Sequence, residues 1–111
     1  MKSLSIDIET YGSVDLIKSG VYAYANAPDF KILLFAYAFD DEEVKITDLA
    51  QGEALPKEVM DALTDGDVLK TAYNANFERT CIGKYFNIDL PINQWLSLIH
   101  ISEPTRLQLI S

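Results

Sequence analysis

Leu4-Ser5-Ile6-Asp7-Ile8-Glu9-Thr10 alternates apolar with polar side chains, the two-residue period of a strand with one face in a core. On that reading Leu4, Ile6 and Ile8 turn inward while Asp7 and Glu9 project together from the opposite face. Two carboxylates held side by side repel. A hard divalent cation such as Mg²⁺, which prefers oxygen ligands, removes that repulsion. The alternation by itself fits a solvated strand face equally well. A second acidic motif, Asn74-Ala75-Asn76-Phe77-Glu78, falls at the start of a late helix, and the two motifs together suggest a carboxylate cage for divalent metals.

Working outward, Lys31–Phe39 (KILLFAYAF) is almost continuously apolar, as expected of a strand covered on both faces. Glu43–Asp48 reads as its antiparallel neighbour, with Asp40-Asp41-Glu42-Glu43 as a solvated hairpin turn. Tyr11–Phe30, with Gly12, Gly20, Pro28 and several tyrosines, reads as a long ordered loop with short turns. Pro56 at a first helical position and the stripe Leu55, Val59, Met60, Leu63 predict a helix that Asp65-Gly66 ends. Val68–Tyr73 predicts another strand. Asn74 or Asn76 then caps a second helix whose stripe of Phe77, Cys81, Ile82, Tyr85 and Phe86 is core, closed by Asn87 and Pro91.

The order strand, strand, strand, helix, strand, helix is that of an α/β protein. Three strands in sequence followed by a crossover helix to a further strand open a ribonuclease-H-like mixed sheet, of which only the N-terminal part is expected here.

A chain of 111 residues allows one domain, and residues 1–95 are short for a complete α/β enzyme, so a fragment is expected. With 49% apolar and 11% aromatic residues the composition is that of a folding chain, not a disordered one. No stretch is long and apolar enough to span a bilayer, and Met1 leads into a strand pattern without a signal peptide, so a cytoplasmic location is expected. Cys81 is the only cysteine, which excludes an internal disulfide and a thiolate zinc cluster and reads as a buried helical thiol. The net charge of −8 counts against tight DNA binding by this piece alone. It leaves phosphodiester chemistry open, because bound metals screen a substrate's charge locally.

The C-terminal end reads differently. Leu96–Arg106 (LSLIHISEPTR) matches the translation of a transposase mosaic end joined to a sequencing adapter, with Ile110-Ser111 resuming that frame. Residues 96–111 are therefore read as an adapter-derived tail, and 1–95 as the domain. His100, the sole histidine, falls in the tail.

LSIDIETYGSVDLIKSGVYAYANAP, FKILLFAYAFD, DLAQGEALP and AYNANFERTCI, in that order, resemble the DEDD (DnaQ-like) superfamily of 3′-to-5′ exonucleases. The likeness spans Met1 to Trp95. More closely, the sequence resembles the N-terminal proofreading domain of phage-type family A DNA polymerases of bacterial prophages. The resemblance implies metal-dependent phosphodiester hydrolysis at DNA 3′ ends with two Mg²⁺ or Mn²⁺ ions. It assigns Asp7, Glu9 and Glu78 as catalytic metal ligands: Asp7 bridging the ions, Glu9 on the ion that bears the attacking water, and Glu78 on the second. Glu78 stands where most of the superfamily carries Asp, so its contact with metal, direct or through water, stays open, as does a role simply at the positive end of its helix. Thr10, Tyr11 and Asn74 are implied substrate-side residues, with Tyr11 either stacking on a terminal base or packing under the following loop. The family's third motif is absent, and His100 and Glu103 lack its spacing, so the fragment is expected to be inactive. A noncatalytic ribonuclease-H-like binding module is the alternative.

Overall fold

The computed structural model describes residues 2–99. Strand β1 (Ser3–Tyr11) buries Leu4, Ile6 and Ile8 and exposes Ser5, Asp7 and Glu9, as the alternation predicts. It pairs antiparallel with β2 (Lys31–Phe39), which sets Leu4 opposite Phe39, Ile6 opposite Tyr37 and Ile8 opposite Phe35. These inward pairs form the floor of the core. The other side of β2 is only half covered: Leu33, Leu34, Ala36 and Ala38 stay partly exposed, so the expected burial on both faces is not realised among the described residues.

Strand β3 (Lys45–Asp48) adds antiparallel to β2, and β4 (Leu69–Ala72) adds parallel to β1. The sheet order is β3-β2-β1-β4-β5, with the acidic strand in the middle. The fifth strand, β5 (Trp95–Ser97), lies parallel to β4 and runs past Trp95, where sequence reading ended the domain. Ser97 explains the extension: its hydroxyl donates to the Tyr73 carbonyl at 3.1 Å and accepts from the Ala75 amide at 3.2 Å. Residues 100–111, including His100 and Glu103, lie outside the described residues.

The expected long loop holds a helix, α1 (Leu16–Asn26). Asp15 caps it, accepting from the Ile17 and Lys18 amides at 3.0 and 3.1 Å. Gly20 sits inside it at φ 85°, a left-handed conformation that interrupts the helical ladder and obscures the period in the sequence. Helix α2 (Lys57–Thr64) buries Val59, Ala62 and Leu63; Pro56 precedes it as the N-cap residue instead of occupying the first turn. Helix α3 (Ala75–Phe86) packs on α1 and against the sheet, burying Cys81 and Ile82, and Asn87 closes it in the left-handed conformation.

Two polar residues hold the frame from unexpected places. Asp40, in the acidic turn read as merely solvated, accepts from the amides of Lys2 and Ser3 at 2.9 and 3.0 Å and pins the start of β1. Lys70 on β4 is fully buried, and its Nζ donates to the carbonyls of Asp65 and Val68, both at 2.8 Å, and to Gln94 Oε1 at 3.1 Å. Those three bonds satisfy an ammonium that burial would otherwise make untenable. Among the described residues no helix is long and apolar enough to cross a membrane.

Candidate metal centre

Asp7 stands at the middle of the central strand, opposite Ala36 of β2, and Glu9 two residues on, opposite Leu34. Small neighbours leave Asp7 open: with Ser5, Ala36, Ala38 and Val44 it lines a cleft of about 130 Å³. Immediately after Glu9 the ladder slips by one residue, so that Thr10 faces Ile32. Irregularities of this kind re-aim side chains at the ends of strands.

Glu78 comes to this strand from α3. Asn74 caps that helix: its carbonyl accepts from the Phe77 and Glu78 amides at 3.0 and 3.2 Å, and its side-chain oxygen accepts from the Phe77 amide at 3.4 Å. The cap seats Glu78 in the first turn, with only 7% of its surface exposed. Its Oε2 is buried without a hydrogen-bond partner among the described residues. Burial pushes the Glu78 carboxyl up to about 7, and the Asp7 charge adds to the rise, while the backbone bonds at the helix start pull the other way. One turn on, burial pushes the Cys81 thiol up to about 12, with the charge of Glu78 contributing, so Cys81 is an inert core thiol.

The structure sets Asp7 and Glu78 on two distant segments, with the charge of Asp7 a lesser cause of the rise at Glu78. Among the described residues it does not gather three carboxylate, histidine or cysteine side chains into one metal-holding group, and no contact joins Glu9 to the pair. The donors on hand still suit a hard cation: all are carboxylate oxygens, and a buried oxygen of Glu78 lacks a partner.

Of the substrate-side candidates, Asn74 is committed to the helix cap, though its side chain stays exposed. Tyr11 is 53% exposed, which favours an open ring over packing beneath the next segment. Thr10 bonds through Oγ1 to the Tyr24 hydroxyl at 2.8 Å. Sequence reading did not single out Tyr24, because it lies in the segment taken for a loop. Its spacing from Asp15, a capping residue, was the available signal.

A central strand with two carboxylates, an antiparallel hairpin on one side, a parallel strand on the other and an acidic helix start after it define the architecture. The fold is ribonuclease-H-like. NrnC of Brucella melitensis superposes with a TM-score of 0.65 at 15% identity, over 96% of this chain and 46% of that one. The EXD2 exonuclease domain gives 0.57 at 20% identity, over 98% of this chain and 50% of that one. RNase D of Trypanosoma brucei, in complex with RNA U12, gives 0.61 at 17% identity, over 87% of this chain and 30% of that one. No family model matches the sequence. In sequence the chain is 72% identical over 95 residues to the DNA polymerase of Bacillus phage SP02, a match that covers 86% of this chain and 15% of that polymerase. The ribonuclease-H-like sheet described here spans half or less of each of these solved chains.

Proposed function

We propose that residues 1–95 are the opening part of a DNA polymerase's 3′-to-5′ proofreading exonuclease domain, with Asp7, Glu9 and Glu78 as the carboxylates that hold Mg²⁺ or Mn²⁺. The polymerase match over 95 residues supports that extent. One observation carries the reading: Glu78 is buried with an oxygen that has no partner among the described residues, and the charge of Asp7 is among the causes that raise its carboxyl. A buried carboxylate is costly to keep charged, and either protonation or a bound cation removes that cost. NrnC has been solved with Mg²⁺ and with pGG, and EXD2 after soaking in Mn and GMP, which supports divalent ions and nucleotides as ligands here.

Bound divalent ions supply a polarised water and charge stabilisation on the attacked phosphate. The chain's own residues do the rest. Asp7 and Glu9 present oxygens from the central strand, and α3 carries the third carboxylate, Glu78, from the other motif. Thr10 and Tyr11, just beyond, lie where the 3′-terminal nucleotide of DNA is received, the exposed Tyr11 ring offering a stacking face, and Asn74 sets the turn that delivers Glu78. The superfamily resemblance places a further ligand in a third motif outside residues 1–95, so this piece alone is proposed to leave DNA uncut.

A thermal melt with added Mn²⁺ tests the proposal. The ion should raise the melting midpoint of the chain, and Asp7→Ala should abolish that rise. Equal midpoints with and without Mn²⁺ would favour the noncatalytic ribonuclease-H-like binding module, which the open carboxylate arrangement also fits.

A further inference from the structure

Three independent features meet at Tyr24. Its hydroxyl bonds Thr10, the residue that follows Glu9, at 2.8 Å. Its ring lies 6.2 Å from that of Phe77, the residue before Glu78, and 5.3 Å edge-on from Phe30. Gly12 completes the seat: a Cβ there would come within 2.8 Å of the Tyr24 ring, so the chain after β1 passes against the ring's edge only because position 12 carries no side chain. Tyr24 itself is buried, and it sits beside the ladder slip between Glu9 and Thr10. A core aromatic needs none of this to be stable. A tyrosine whose hydroxyl reaches one acidic motif while its ring bears on the other is placed to fix the distance between them.

We infer that Tyr24 is a positioning residue for the two acidic motifs: through Thr10 it sets the aim of Glu9, and through Phe77 it sets the seat of Glu78. The consequence for metal rests on the reading of the site given above; the mechanical coupling does not. Beyond the register slip the end of β1 pairs with Ile32 and Lys31, and its direction there takes a second hold from outside the ladder. The Thr10–Tyr24 bond supplies that hold from α1, an element with no carboxylate in the site.

The test uses the whole chain, with free Mn²⁺ followed by electron paramagnetic resonance. Tyr24→Phe keeps the ring and removes the bond, and it should weaken Mn²⁺ binding about five- to tenfold. Thr10→Val should do the same, Thr10→Ser should keep wild-type affinity, and the double variant should lose no more than either single one. Unchanged Mn²⁺ affinity in Tyr24→Phe, or losses that multiply in the double variant, would overturn the inference. Melting midpoints are not the readout, since any lost core bond moves them. If the wild-type chain binds no Mn²⁺, the metal reading fails, and metal-free hydrogen exchange decides the coupling. Tyr24→Phe should then speed exchange of the Glu9–Tyr11 amides about fivefold, and Tyr24→Leu should extend the effect to Phe77 and Glu78. Exchange unchanged in both variants refutes it.

Discussion

Replacing Glu78 by glutamine removes one titration while keeping the shape of the site, and its effect follows from the carboxyl's displacement from 4.5 to about 7. The folded chain holds that proton more tightly than the unfolded chain does. Between pH 4.5 and 7 the native state therefore binds more protons, and stability from this group falls as pH rises through that window. At about 1.4 kcal/mol per pH unit the full effect is about 3 kcal/mol, complete near pH 8. Desolvation of the carboxylate supplies most of it, and the charge of Asp7 supplies less. Urea unfolding of wild type and Glu78→Gln in chelator, from pH 4.5 to 8, reads this contribution together with its interaction with Asp7, because carboxylates that do not interact with Glu78 contribute equally to both proteins. The curves should coincide at the acid end and separate to about 3 kcal/mol in favour of Glu78→Gln at pH 8. Added Mn²⁺ at pH 8 should then stabilise only the wild type and narrow the gap. Parallel curves, or a wild type that gains on its variant above pH 5, would refute the reasoning.

Two further outcomes concern the frame. Lys70→Met preserves bulk but strands the three acceptors that Nζ serves, and should lose about 2 kcal/mol in urea unfolding, the removal of a buried charge offsetting part of the loss. Gly12→Ala forces a methyl against the Tyr24 ring and should cost about 1–3 kcal/mol in a thermal melt, a loss reduced when Tyr24→Leu opens the space.

Much of the fold was legible because the elements around the acidic motifs obey simple periods. Leu4, Ile6 and Ile8 alternate, Phe77, Cys81 and Ile82 recur at helical spacing, and Asn74 marks where the helix begins. What escaped depends on tertiary contact or on broken local order. Gly20 cuts α1 into two short runs, so no window carries a full helical repeat. Asp40 resembles its acidic neighbours in sequence, and only the return of β1 beside it gives it amides to bind. Lys70 reads as a solvent residue, because its acceptors come from the α2–β4 turn and from Gln94. In the candidate site the motifs named Asp7, Glu9 and Glu78, and the structure exposes the first two on β1 and buries the third on α3. The ladder slip that follows Glu9 is announced by no residue type.

The central place of β1 also dictates an order of events as the chain leaves the ribosome. Its hairpin with β2 can form once residue 39 has emerged, whereas its other edge must wait for β4, whose Thr71 meets Ser5 across 66 positions. Long-range parallel pairing of this kind is slow to nucleate. The acidic strand thus spends its early life as an unfinished sheet margin, and Glu78 joins the fold only once α3 has emerged behind β4.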